Sequence, residues 1–405
     1  MRHAPLWLDR SPKRRRPSFP RLRGDQPARV AIVGGGLTGA ACAISFAAAG
    51  IDAVLLEAEA VGAGMTAGDP GILREGFAGS FQAAVNAHGL RTSRAVWDTM
   101  RRGALDFAAA LRRYKIRCDL EPQEVITLAS QASDAARLLR REYQLRHDSG
   151  IEGSWLTSAA LAREAALEAA VGIRTHGAVM DPYRACLGLI AAAVTRGTRV
   201  YERSAVRRIR PSKRHVDVVT DAGSVRAEAV IVATAAPIQD LRGLRRHLQT
   251  EQAYGVLTEP LPAPMRRQVG GRAAVLEDAG EPGRIVRWLP DDRVLVHGAR
   301  QLEVAERLRD RALSQRTGQL MYEFSLRYPA ISGLRPELSW DGIDHETADS
   351  LPFLGPHRNY PHHLFAFGSS RHGAGLAWTA ARVALRHFTG EPAKADEAMG
   401  FHRIL

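Results

Sequence analysis

Apolar and polar positions follow two different periods along this chain. Arg29-Val30-Ala31-Ile32-Val33 is a short run rich in β-branched side chains, the pattern of a strand buried on both faces. Ala40 through Gly50 is small, apolar and helix-permissive, with Gly50 placed to end the helix. Asp52-Ala53-Val54-Leu55-Leu56 gives a second buried strand. Residues 86–174 then carry long Ala/Arg/Leu-rich helical patterns, Arg94–Tyr114 and Ser133–Asp148. A strand is predicted within Val200–Ile209, a hairpin from Val216–Thr220 and Val225–Ala227 around Asp221-Ala222-Gly223, and a buried strand over Glu228–Thr234. Gln252–Glu259, Ala273–Glu277, Arg284–Leu289 and Val294–Ala299 follow, the last three reading as antiparallel strands. Leu302–Tyr328 predicts a helical return, Leu364–Gly368 a strand and turn, and Ser369–Thr389 a turn into a final helix. The fold expected is α/β with an α+β insertion: a Rossmann-like domain and a second domain built on an antiparallel sheet.

Between the first strand and the first helix lies Gly34-Gly35-Gly36-Leu37-Thr38-Gly39, a GxGxxG turn. Gly34 allows the tight exit from the strand, Gly36 the close approach of a pyrophosphate, and Gly39 the packing of helix on sheet. The helix start offers unpaired N–H groups and partial positive charge to phosphates. Glu57 ends the second strand 18 residues after Gly39, where its carboxylate can hold a ribose diol and repel a 2′-phosphate. Strand, glycines, helix, strand and acid in this order form a dinucleotide-binding unit, with NADP disfavoured. The unit alone leaves FAD and NAD open.

Four later features bear on that choice. Val61-Gly62-Ala63-Gly64-Met65-Thr66-Ala67-Gly68-Asp69-Pro70-Gly71 is a bare loop that can lie against an extended ligand. Asp181-Pro182-Tyr183-Arg184 starts a helix, with Asp181 as N-cap and Pro182 in the first turn. Ser204-Ala205-Val206 and Ala233-Thr234 stand at strand ends. Asp349-Ser350-Leu351-Pro352-Phe353-Leu354-Gly355 precedes Gly368 and a second glycine-rich helix start, Arg371-His372-Gly373-Ala374-Gly375-Leu376. From Arg29 to Pro392 the chain resembles the D-amino-acid-oxidase-like flavoproteins, which include glycine oxidase, sarcosine oxidase and the γ-glutamylputrescine oxidoreductases. Its small-residue loop departs in detail from that family's Gly-Ala-Ser-Gly-Arg-Asn-Gly-Gly-like run.

The resemblance implies FAD, held by Gly34, Gly36, Leu37, Thr38, Gly39, Glu57 and Ala58. It further implies contacts from Gly64, Met65, Thr66, Ala67 and Gly68, from Val206, Ala233 and Thr234, and from Gly368, His372, Gly373, Gly375 and Leu376. The second helix start would stabilise negative charge on a reduced flavin. The implied reaction converts a C–N bond of an amine or amino acid into an imine, with a hydride passing to flavin N5, and the imine then hydrolyses. Alternatives from other classes are an NAD-dependent dehydrogenase and a non-catalytic flavin-binding subunit of a larger complex. Arg287 is a candidate to bind a substrate carboxylate. His372, Arg371 and Tyr254 are further candidates near the substrate. No cysteine lies near 335–355 and no histidine between Glu57 and Phe81, so the FAD is expected to be non-covalent.

The expected division is an FAD-binding domain of 29–85, 175–237 and 335–395, a substrate domain of 86–174 and 238–334, and a C-terminal tail of 396–405. The net charge of +13 could suggest nucleic acid, but eight Lys/Arg against two Asp fall in residues 1–28. That aperiodic, proline-broken stretch is expected to be a disordered basic tail, and a nucleic-acid partner is not expected. Cys42, Cys118 and Cys186 are far apart, so neither a disulfide framework nor a metal site is expected, and a cytoplasmic location fits best. His357, His362 and His363 are expected in a solvated loop. No apolar run is long enough for a membrane span.

Overall fold

The computed structural model describes residues 1–76, 79–168, 170–280, 283–368 and 374–404. Val30–Val33 forms the centre of a six-stranded sheet. It runs parallel to Ala53–Leu56 on one side and Ala229–Ala235 on the other. Arg199–Tyr201 extends the sheet beyond Ala53–Leu56, and Tyr360–Phe367 extends it beyond Ala229–Ala235, both in parallel. Phe353–His357 closes the far edge as an antiparallel hairpin partner.

Alternation on the central strand sends side chains to two different cores. Val30 and Ile32 pack beneath the helices Leu37–Ala48, Pro182–Val194 and Ala374–Thr389. Ala31 and Val33 pack against Val216, Val218 and Val225 of a four-stranded sheet on the opposite face. The first helix comes very close to its strand, because a Cβ at Gly39 would overlap the Gly34 carbonyl oxygen.

A second, nine-stranded sheet stands beside the first. Ala274–Asp278, Ile285–Trp288 and Val294–Leu302 are antiparallel neighbours within it. Gln249–Thr258 follows them, and Glu124–Ser130 pairs in parallel with Ala274–Asp278. The helix Arg309–Arg327 packs over this sheet through Leu313, Leu320 and Phe324. Pro336–Glu346, expected with the nucleotide-binding segments, instead pairs along the whole of Gln249–Thr258. Continuous ladder pairing over that length holds it in the second sheet.

Several expectations need correction. Val200–Ile209 is two strands in two sheets, Arg199–Tyr201 and Val206–Pro211. The helical return starts only at Arg309. His357 and His363 are buried, because residues 353–367 form a hairpin whose rings pack against Tyr360, Phe365 and Phe401.

The largest correction concerns residues 1–28, which are ordered. Arg2 and His3 pair in parallel with Leu338 and Ser339. Leu6 and Trp7 sink into an apolar cluster with Tyr183, Leu257, Leu289, Leu295, Leu338 and Trp340. Leu22 is fully buried, and Gly24–Pro27 adds a strand beside Gly223–Ala227. Arg16 donates to the Leu8 and Ser11 carbonyls at 2.6 and 2.8 Å, folding the basic run back on itself. Three apolar side chains outweigh the charge because they find preformed partners. Replacing Trp7 by Ala is expected to cost about 3–5 kcal/mol, the usual range for a buried Trp. A thermal or urea unfolding midpoint indistinguishable from that of the unaltered chain would contradict this ordering.

Candidate functional site

The carboxyl ends of the parallel strands open into a cavity of about 1210 Å3 that runs from Glu57 to the second sheet. That exceeds the ~300–1,000 Å3 of a typical single-ligand pocket. Gly34, Gly36, Leu37, Thr38, Glu57, Ala58, Gly64, Met65, Thr66, Gly68, Val206, Ala233 and Thr234 line its first half. Gly36 is the N-cap of the first helix and has no side chain to satisfy the helix N–H groups that face this space. The Leu37 N–H donates to Thr66 Oγ1 at 3.0 Å, which fastens the Met65–Gly68 turn to the helix start. Glu57 accepts from the Gly35 and Glu59 N–H groups at 2.6 and 2.9 Å. Burial raises its carboxyl pKa, and those two N–H bonds oppose the shift.

Other expected contacts lie away from the cavity wall. Gly39 is consumed by helix–strand packing, and Ala67 is fully buried beneath the turn. Gly368 turns the chain at φ +68 against Thr347. Gly375 accepts from Thr379 Oγ1 at 3.3 Å and packs on Ala104, while Leu376 joins the cluster around Phe81 and Trp97. Arg371, His372 and Gly373 lie outside the described residues.

Two substrate candidates are structural. Tyr254 is buried in the core beneath the helix Arg309–Arg327, and its hydroxyl accepts from Gln301 at 2.6 Å. Arg287 shares a strand face with the cavity-lining Ile285, but the loop 68–71 and Trp7 cover it. Its guanidinium donates to the carbonyls of Pro70, Gly71 and Met180 at 2.6, 3.3 and 2.9 Å and lies over the Trp7 ring. Burial lowers its pKa to about 10, against the attraction of Asp69 and Asp181. Trp340 Nε1 donates to the Gly68 carbonyl at 3.0 Å and Trp7 Nε1 to that of Asp69 at 2.7 Å. Four consecutive carbonyls, 68 through 71, are thus each held by a side chain from elsewhere.

Beyond this loop the cavity becomes charged. Arg74 pairs with Glu277 at 2.5 Å, Arg300 with Asp344, and Arg284 with Asp278 at 2.5 Å. His297 lines the same space and is buried, with no partner for Nδ1 among the described residues. Burial and the nearby Arg300 hold its pKa down to about 4, so it is neutral at physiological pH. Asp69 also lines the cavity, and burial raises its carboxyl pKa to about 6. Sequence reasoning missed these residues. Asp69 lay in the small-residue loop and Glu277, Arg284 and His297 in expected strand segments, but none of these polar positions belongs to a motif that would mark it as part of a site.

Bare glycine turn, uncapped helix start and strand-end carboxylate define a dinucleotide-binding oxidoreductase fold. At Gly34, at φ +106, a Cβ would sit 2.7 Å from the Ala233 carbonyl oxygen, so only glycine can make this tight exit from the strand toward the helix start. The chain belongs to the DAO family of FAD-dependent oxidoreductases, whose model matches residues 29–386. It is an FAD-dependent oxidoreductase. The gamma-glutamylputrescine oxidoreductase of Escherichia coli K12 is 26% identical over 91% of this chain and 85% of its own. Glycine oxidase from Geobacillus kaustophilus superposes with a TM-score of 0.75 at 21% identity, covering 91% of this chain and 96% of its own. The FAD-bound L-alpha-glycerophosphate oxidase of Mycoplasma pneumoniae shares the fold at 16% identity and TM-score 0.71, covering 90% and 95%.

Among the described residues no cysteine lines the cavity. All three thiols are free and buried, with those of Cys42 and Cys118 pushed up by burial to about 12 and 11. No group of metal-ligating side chains and no membrane-length apolar helix occurs among the described residues.

Two outcomes follow from this geometry. Glu57→Ala should weaken FAD binding by about 10- to 100-fold, the equivalent of one charge-assisted hydrogen bond of ~1.5–3 kcal/mol, read by titrating apoprotein with FAD. Arg287→Met should lower stability by about 1.5–3 kcal/mol, because an apolar side chain of similar length removes the charged donor of the Pro70, Gly71 and Met180 carbonyls. A selective rise in KM for carboxylate-bearing substrates in that variant would return Arg287 to a substrate-binding role.

Proposed function

We propose that this flavoenzyme oxidises the C–N bond of a small charged amine or amino acid. The observation that carries the reading is the charged half of the cavity adjoining the cofactor cradle. Arg74–Glu277 and Arg300–Asp344 place both signs of charge around the same space, which suits an ammonium-bearing or zwitterionic molecule better than a neutral one. The names of the Escherichia coli relative and of the glycine oxidase both denote nitrogen compounds. The shared fold of a glycerophosphate oxidase means that the fold leaves C–N and C–O oxidation equally open, so the site must decide.

FAD, when bound, supplies the two-electron acceptor, with hydride passing from the substrate carbon to flavin N5. The chain's own residues do the rest. The glycine turn and the first helix start would hold the pyrophosphate, and Glu57 the adenosine ribose. The clamped loop 64–71 would fix the flavin end of the cradle. The paired arginines and acids orient the substrate, and neutral His297 offers one further hydrogen-bonding nitrogen. The second sheet roofs the cavity and excludes water, which strengthens each of these contacts. The FAD is proposed to be dissociable, since no described thiol reaches the cavity.

The test is anaerobic mixing of the FAD-loaded protein with primary amines, N-methyl amino acids, D- and L-amino acids and glycerol phosphate. Bleaching of the visible flavin bands by a nitrogen compound supports the reading, and admission of air then separates oxidase from dehydrogenase. Bleaching by glycerol phosphate alone, or by no amine, would overturn it. Yellow colour left on the polypeptide after denaturing extraction would disprove dissociable FAD.

A further inference from the structure

Asp69 stands where the cofactor cradle meets the charged half of the cavity. It directly follows the Met65–Gly68 turn, which Thr66 ties to the phosphate-binding helix start. The other acids at this end are spoken for. Glu277 is paired with Arg74, Asp344 with Arg300 and Asp278 with Arg284. Among the described residues Asp69 has no ion pair. One oxygen, Oδ1, accepts from the Gly71 N–H at 2.6 Å, which leaves Oδ2 for a ligand.

The surroundings hold this carboxylate in place without neutralising it. Trp7 takes the Asp69 carbonyl, Trp340 the Gly68 carbonyl and Arg287 those of Pro70 and Gly71. Gly71 itself sits at φ +71, where a Cβ would strike the Met180 carbonyl oxygen. His297 gives a second, independent pointer to a ligand. It lines this cavity and is only 8% exposed, and its buried Nδ1 has no partner among the described residues.

We propose, resting on amine oxidation as the reaction, that Asp69 is the catalytic residue that anchors the substrate ammonium and takes its proton. The step balances simply. R2CH–NH3+ and the Asp69 carboxylate give R2CH–NH2 and the Asp69 carboxylic acid. The nitrogen lone pair then forms the C=N bond as the hydride leaves carbon for FAD. Water hydrolyses the resulting iminium, R2C=NH2+, to a carbonyl compound and ammonium. Only the neutral amine has the lone pair this requires. Burial lowers an amine's pKa and raises a carboxyl's, so the proton transfer becomes nearly level in this site.

The charges facing Asp69 agree with that role. Asp344, on Pro336–Glu346, pushes its pKa up. Arg74, on Ile72–Arg74, and Arg287, on Ile285–Trp288, pull it down. Arg10, from the N-terminal arm, and Asp181, from the start of the helix Pro182–Val194, act on Arg287. Burial dominates, and the carboxyl comes to about 6. At pH 7 it is mostly ionised and ready to accept a proton, and below about pH 6 that capacity is lost.

Asp69→Asn tests the proposal, with the amine that best bleaches the unaltered enzyme. The unaltered enzyme should show a kcat/KM that rises through an acid limb near pH 6. Asn should remove this limb, lower the rate at pH 7 by about 100- to 10,000-fold, and recover as pH approaches the pKa of the free amine. A second readout needs no turnover. In substrate-free holoenzyme the visible flavin bands should shift with a midpoint near pH 6, and Asn should abolish the shift. Asp69→Glu, which keeps a carboxylate, should keep both signatures and serves if Asn fails to fold. An Asn variant with the original pH profile and a rate within about twofold, or an unaltered enzyme without the spectral titration, would overturn the role. An unaltered enzyme bleached by no amine would instead remove the functional reading, and the proposal with it.

Discussion

Four consecutive carbonyl oxygens, at Gly68, Asp69, Pro70 and Gly71, are held by three side chains from three distant parts of the chain. Trp340 comes from the second sheet, Arg287 from another strand of that sheet, and Trp7 from the N-terminal arm. This clamp joins the cofactor cradle to the substrate roof. A bare loop has no packing of its own to fix it, and each unpaired buried carbonyl would cost about 1–3 kcal/mol. Donors on rigid strands satisfy those carbonyls and set the loop's position against the sheet. The N-terminal arm and the placement of Asp69 both depend on this arrangement.

The same economy shapes the charged half of the cavity. Buried arginine–carboxylate pairs contribute little net stability, since desolvation offsets most of the Coulomb gain. Their presence in a cavity wall is better understood as a polar surface that is already organised before substrate arrives. His297 is kept neutral by burial and by Arg300. Asp69 is kept near the middle of the useful pH range by burial, opposed by two arginines. Two titratable groups in one space are thereby driven in opposite directions, each toward its neutral form.

The nucleotide half was legible in the sequence because its requirements are local. A GxGxxG turn, a small-residue helix and Glu57 fall within one thirty-residue unit, and backbone geometry ties each to its task. The loop Gly62–Gly71 was visible for the same reason. Arg287 was legible as an exceptional residue and illegible as to role. Alternation puts it on the cavity face of its strand, but only the arm and loop packed over it show that it binds carbonyls. The basic N-terminal segment misled because composition hides three deeply buried side chains, Leu6, Trp7 and Leu22. His357 and His363 misled likewise, since the hairpin that buries them is made by pairing across residues 353–367.

By itself, the sequence determined the βαβ unit, its dinucleotide, the resemblance that selected FAD, and the identity of most strands and helices. These follow from short-range periodicity and from glycines that only one backbone path can use. Tertiary structure alone decided which acids are paired and which is free. It also moved Pro336–Glu346 into the roof sheet, and it brought Trp7, Arg287 and Trp340 to one loop. Most of these contacts join residues far apart in the chain, from 44 positions for Arg300 and Asp344 to 272 for Trp340 and Gly68, and no local pattern encodes which partner a lone Asp, Arg or Trp will meet.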